Sequence, residues 1–165
     1  MQESRLLGVA SIGIGAIAGD GDVATTFATA GTIYKDTAEI TQEQDASIEH
    51  FCEESDDAFA VIPGAKKTKI KWSITDFTPA ALVAVLGGTA TGTAPADTWT
   101  APATSDLIEK SVKITPKSGK IITFPRVSLR GTINYKLAKA GIAQVMIEGT
   151  VMTPTKAGVA AIKLG

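Results

Sequence analysis

Hydrophobic and polar positions alternate along most of this chain, a pattern typical of β-strands with one buried face. In KKTKIKWSITDF, Ile70, Trp72 and Ile74 alternate with polar side chains, so they lie on one side of an extended strand. The same alternation recurs in RVSLRGTINYKL and IAQVMIEGTVM. We therefore predict a mainly β fold, an antiparallel β-sandwich or small barrel.

One segment breaks the alternation, TDFTPAALVAVLGG at residues 75–88. Thr78 suits the N-cap, Pro79 suits the first helical position, and Gly87 with Gly88 can end the helix in a left-handed turn. The pattern predicts one flanking helix over about residues 78–86. Because this helix has almost no polar face, it should be covered on most sides. The residues expected to be covered are Leu82, Val85 and Leu86.

The chain length of 165 residues favours one domain, or one domain with arms. Residues 1–30 are rich in glycine and weakly periodic, so we interpret them as an N-terminal arm. Residues 31–165 are predicted to form a single β domain. Within it lie an acidic segment at 36–57 and a flexible loop at 87–106, which is rich in Thr, Ala, Gly and Pro.

Charge is divided unevenly, although the net charge is only −1. Residues 36–57 hold nine acidic side chains and no Lys or Arg, whereas the chain from Ala58 onward holds fourteen basic and five acidic ones. A general nucleic-acid binder would show a basic excess overall. Two interpretations remain open: the acidic part of one copy faces the basic part of another, or the two parts neutralise each other within one fold.

The sequence offers little reactive chemistry. His50 is the only histidine and Cys52 the only cysteine, so multi-histidine metal sites, most triads and an intramolecular disulfide are excluded. His50 and Cys52 lie two residues apart among carboxylates, but one His and one Cys fall short of a metal site. The glycines of GIGAIA at 13–18 lack the long helix of a dinucleotide fingerprint. We predict no enzymatic activity, no cofactor and no metal.

The functional signal therefore lies in surfaces. Lys67, Lys69 and Lys71 share one strand face, which is either solvated or in contact with carboxylates of a neighbouring copy. Trp99, a large aromatic residue in a pliable loop, is a candidate anchor against its own domain or a partner. The apolar run in RLLGVASIGIGAIAGDGD is too short to span a bilayer, so we expect no membrane anchor.

The order of these parts resembles the major tail tube proteins of tailed bacteriophages, over about residues 8–160. The resemblance rests on the strand-to-helix segment SITDFTPAALVAVLGG and on the closing segment GTINYKLAKAGIAQVMIEGTVMTP. It implies a structural virion protein, made in the host bacterial cytoplasm, that assembles as hexameric rings stacked into a tube. Rings of that family stack through a long loop and terminal arms.

The resemblance also implies partners: tape-measure and tail tip or terminator proteins, and double-stranded DNA that passes through the lumen without specific binding. The lumen of such tubes is commonly acidic. Alternation puts Glu39, Glu43 and Asp45 on one side of a strand, which makes them candidates to face the lumen. The acidic segment could alternatively be a surface hairpin used only in ring stacking.

Two other functions remain open from the sequence. The same tube fold builds the inner tube of contractile injection and secretion systems. A monomeric carbohydrate-binding β-sandwich is a further alternative, but such modules present clusters of exposed aromatic side chains, and Trp99 is the single obvious candidate here.

Overall fold

The computed structural model describes residues 5–165, which contain twelve strands and one helix joined by loops. The fold is thus mainly β with one flanking helix in this part of the chain, as the alternating pattern predicts. The elements in chain order are β1 (Leu7–Gly15), β2 (Ala28–Thr29), β3 (Glu39–Gln44), β4 (Ile48–Cys52), β5 (Ser55–Ile62), β6 (Lys66–Ile74), α1 (Pro79–Leu86), β7 (Thr89–Thr91), β8 (Thr98–Thr100), β9 (Ile108–Ser118), β10 (Ile122–Asn134), β11 (Gln144–Val151) and β12 (Lys163–Leu164).

Eight strands form one antiparallel sheet in the order β2-β1-β9-β10-β11-β6-β3, and β12 pairs with the first residues of β10. β1 and β3 lie far apart in this order, yet Val9 and Ile40 line the same cleft. The sheet therefore folds over on itself into a sandwich-like arrangement with the core inside, which confirms the predicted fold class.

The alternation in β6 positions the core. Ile70, Trp72 and Ile74 are at most 1% exposed. Residues directly opposite each other in an antiparallel pair share a face of the sheet. Ile147 lies opposite Trp72 and Val145 lies opposite Ile74, so both side chains of β11 also enter the core.

Helix α1 forms where the sequence predicts it, and its first residue is Pro79. The backbone of Thr78 has the extended N-cap conformation, but its side chain makes no capping hydrogen bond. Gly87 ends the helix with φ 74°, and its N–H donates to the carbonyl oxygen of Val83. Of the residues expected to be covered, Leu82 and Val85 are buried and Leu86 is half-buried.

The prediction of an N-terminal arm over residues 1–30 is wrong for its central part. β1 pairs with β9 within the main sheet, and Ile12 and Ile14 are buried in the core. The glycines have a packing role, because a Cβ on Gly15 would collide with the carbonyl oxygen of Thr26. The chain thus returns so closely over β1 that only glycine fits. Residues 1–4 of the predicted arm lie outside the described residues.

The loop predicted over residues 87–106 contains a short hairpin of β7 and β8. The hydroxyls of Thr91 and Thr98 are 2.9 Å apart across this hairpin. The composition of the segment is typical of loops, and it contains no signal for such short paired strands.

Candidate assembly surfaces

The acidic and basic candidates of the sequence meet on one face of the sheet. β3 pairs with β6 so that Glu43 lies opposite Lys67. The Lys69 Nζ lies 3.6 Å from Glu43 Oε2, and the Lys67 Nζ lies 3.3 Å from Asp45 Oδ2. Two of the three lysines are therefore paired with carboxylates of their own chain. At these positions the acidic and basic regions neutralise each other within one fold.

Charges of alternating sign continue across four strands of this face. In the pairing register, Glu39 of β3 lies opposite Lys71 of β6, which lies opposite Glu148 of β11. Glu148 in turn lies opposite Arg130 of β10. Opposite charges placed directly across strands stabilise a sheet by about 0.2–1 kcal/mol per pair. We call this row the charge ladder; signs alternate from strand to strand, although Lys67, Lys69 and Lys71 follow one another along β6.

The predicted lumen candidates and the predicted contact lysines are thus neighbours. Glu39 and Glu43 lie in β3, Asp45 follows its last residue, and all three are exposed. The alternation in the sequence correctly indicated that they share a side. It gave no signal that Glu148 and Arg130, from strands about a hundred residues later, would join them.

Strand β3 lies at one end of the main sheet, so its outer edge has no strand partner among the described residues. Its six residues are mostly exposed, and Ile40 is 41% exposed. An open edge of this kind presents unpaired N–H and C=O groups and is a template for pairing with another chain.

The chain continues from β3 into a hairpin of β4 and β5, which forms a sheet of its own. We call residues 48–62 the acidic hairpin, because they contain five carboxylates and no Lys or Arg. The hairpin also exposes apolar side chains to an unusual degree, and Phe59 is 70% exposed. Its other large apolar residues are more than half exposed: Ile48, Phe51, Val61 and Ile62. Exposed apolar residues grouped in this way make the hairpin a candidate interaction surface.

A second exposed surface lies in the connection between β10 and β11, residues 135–143. This connection contains Lys136 and Lys139 and no acidic residue, so we call it the basic loop. Leu137 is 87% exposed, Tyr135 is 63% exposed and Ile142 is 47% exposed. The alternation of RVSLRGTINYKL predicts a strand through Leu137, but β10 ends at Asn134, so Tyr135 and Leu137 lie in the loop.

The C-terminal segment is held by an ion cluster that we call the Lys156 clamp. The Lys156 Nζ donates to Asp20 Oδ2 at 2.7 Å and to Asp22 Oδ2 at 2.8 Å. These hydrogen bonds hold the pKa of both aspartates below the ordinary value of 3.8, and they raise the pKa of Lys156. The clamp joins the turn after β1 to the segment after β11.

Trp99, a predicted anchor, makes its contacts within its own domain. Its indole Nε1 donates to the carbonyl oxygen of Gly87 at 2.9 Å, and its ring packs against the core. It therefore covers the C-terminal end of α1. The prediction of an inter-subunit role has no support from this placement.

His50 and Cys52 both lie in β4, with a register irregularity between them, and Cys52 is an exposed free thiol. Within residues 5–165 there is no group of three or more His, Cys, Asp or Glu side chains placed to hold a metal ion. The same residues contain no helix long and apolar enough to cross a membrane.

Comparison with protein-family models and with curated proteins finds no match for this chain.

Proposed function

We propose that this chain is a self-assembling structural protein, the subunit of a tail tube built from stacked rings. One observation carries the proposal: the open edge of β3 runs directly into the acidic hairpin, whose large apolar side chains are exposed. Open strand edges and exposed apolar surface both favour association. A second copy of the same chain can pair with the open edge of β3 and can cover the apolar side chains of the hairpin. Pairing of strands between neighbouring subunits would form a ring.

The four adjacent strands β10, β11, β6 and β3 supply a face suited to a lumen. This face is mostly polar, while the opposite face of β10, β11 and β6 is buried in the core. Pairing of such strands around a ring closes the sheet and removes its edges. Helix α1 packs over the buried side of the fold, so its role is to cover the face of the sheet that points away from the proposed lumen.

The charge ladder suits a wall past which DNA slides. A continuous basic stripe would bind the phosphate backbone and release counterions. Here Lys67 and Lys69 have carboxylate partners within the chain, and Lys71 lies between Glu39 and Glu148. The carboxylates Glu39, Glu43 and Asp45 thus act in the proposed lumen mainly by neutralising lysines. DNA passing the wall meets mixed charge within the screening distance of about 8 Å at physiological salt.

Negative-stain electron microscopy of the concentrated protein, together with its mass in solution, tests the proposal. Rings or tubes with a central hole are expected. A monomer at every concentration would refute the tube function, and saturable glycan binding by that monomer would favour a carbohydrate-binding module instead.

A variant pair sharpens this test. Phe59→Ser removes the most exposed phenylalanine of the acidic hairpin, so it should leave the stability of the subunit within about 0.5 kcal/mol of wild type while impairing assembly. Ile162→Ser is the matched control, because Ile162 is also exposed but lies near the C-terminus. Equal assembly of the two variants would contradict a role for the hairpin.

A further inference from the structure

The acidic hairpin and the basic loop lie at opposite ends of the same strands. β6 begins at Lys66, just after the hairpin, and ends at Ile74. Ile74 pairs with Val145, the second residue of β11, so the end of β6 lies beside the basic loop. The nine residues of β6 separate the two surfaces by roughly 30 Å.

The two surfaces are complementary in charge and similar in apolar character. The hairpin contains five carboxylates and no Lys or Arg, and the loop contains two lysines and no carboxylate. Each also exposes large apolar side chains, such as Phe59 in the hairpin and Leu137 in the loop. Apolar contacts at the centre with opposite charges around them are the usual composition of a specific protein interface.

We propose that the acidic hairpin of one copy docks on the basic loop of the next copy along the tube. This inference rests on the proposed tube function and names the contact that stacks the subunits. Because donor and acceptor lie at opposite ends, the contact is head-to-tail and does not close on itself. Repetition of such a contact produces a filament rather than a symmetric dimer.

Disulfide cross-linking tests the contact, since Cys52 in the acidic hairpin is the only cysteine of the chain and is exposed. The Ala138→Cys variant adds a thiol at the centre of the basic loop. Under mild oxidation it should give a ladder of dimers, trimers and longer species, because each copy has one donor and one acceptor. The ladder should disappear in the Cys52→Ser/Ala138→Cys variant.

Lys120→Cys is the matched control, because Lys120 is exposed in the turn between β9 and β10, away from the basic loop. An equal ladder from this variant would overturn the proposal, and so would a product that stops at the dimer. Wild-type tubes without cross-linking through Ala138→Cys would refute this contact while the tube function stands. If the wild type is a monomer and the Ala138→Cys variant still gives the ladder, the tube function is refuted and the contact is kept.

Charge exchange gives an independent readout. The Lys136→Glu/Lys139→Glu variant should raise the protein concentration needed for tubes about tenfold, because like charges then face each other. Adding Glu53→Lys/Glu54→Lys in the same chain should return this concentration to the wild-type value. Lys117→Glu/Lys120→Glu carries the same change of charge at the end of the sheet that holds the acidic hairpin, where added negative charge faces the basic loop of the next copy, so it should not raise this concentration. Absence of rescue, or an equal rise of the concentration in this control, would contradict the docking geometry.

Discussion

Replacing Gly131 with alanine should push α1 away from the sheet. Gly131 lies in β10 and faces the helix, and a Cβ at this position would lie 2.6 Å from Leu86 Cδ2. The same Cβ would lie 3.1 Å from the carbonyl oxygen of Val85, which belongs to the helix backbone. The side chain of Leu86 can rotate, but the backbone atom retreats only if the helix or the strand moves.

Two opposing effects set the size of the change in the free energy of unfolding. Overpacking a tight interface costs about 1–3 kcal/mol. Alanine is intrinsically better than glycine in a strand by about 0.5–1 kcal/mol, which offsets part of this cost. We expect a net destabilisation of about 1–2 kcal/mol. For a chain of this size, that corresponds to a melting temperature lower by roughly 2–8 °C.

Urea denaturation of dilute, unassembled subunits measures this change. Assembly must be avoided because it would stabilise the folded subunit by mass action. Tryptophan fluorescence is a suitable signal, since Trp72 is buried in the core and Trp99 packs near the end of α1. Gly19→Ala is the matched control, because no atom lies within 4 Å of the added Cβ, and its effect should stay within about 0.5 kcal/mol. Equal stability of Gly131→Ala and this control would refute the close approach of helix and sheet.

Three further predictions use the same denaturation measurement. Trp99→Phe keeps an aromatic ring but deletes the N–H that donates to Gly87, so it should cost about 0.5–1.5 kcal/mol; an unchanged urea midpoint would contradict this contact. Lys156→Gln should lower stability at pH 7. Because the pKa of both carboxylates in the Lys156 clamp lies below 3.8 in the folded state, their stabilisation is present above about pH 4 and is lost as the pH falls further. The difference between Lys156→Gln and wild type should therefore shrink at pH 3, and a constant difference would argue against the clamp. Deletion of residues 2–18 should abolish cooperative unfolding, since it removes β1 and the buried Ile12; a folded deletion variant would show that this strand is dispensable.

Much of the fold can be predicted from local sequence signals. The alternation of Ile70, Trp72 and Ile74 predicts a half-buried strand, and β6 has that form. Pro79 and Gly87 mark the ends of α1 correctly, because these two residues act through their own backbone restrictions. The same signals misled at β1, where glycine alternates with isoleucine. Glycine usually indicates flexibility, but here it accommodates the chain that returns over the strand at Thr26.

The candidate surfaces could be predicted only in part. The share of acidic residues in 36–57 and the alternation of Glu39 and Glu43 were visible in the sequence. The lysine partners were not, because Lys69 reaches Glu43 only through the pairing of β3 with β6. Trp99 likewise looked free for a partner, and its hydrogen bond to Gly87 depends on how the β7–β8 hairpin folds back.

The sequence by itself thus determined the strands with clear alternation, such as β6 and β11, where the helix begins and ends, and that charge is divided unevenly along the chain. Only the tertiary structure decided that β1 belongs to the core, that the charges alternate across four strands, and that an acidic hairpin and a basic loop lie at opposite ends of the same sheet. The physical reason is the range of the interactions. Strand alternation and helix ends depend on neighbours within a few residues, whereas strand register and exposed surfaces depend on contacts between residues far apart in the chain.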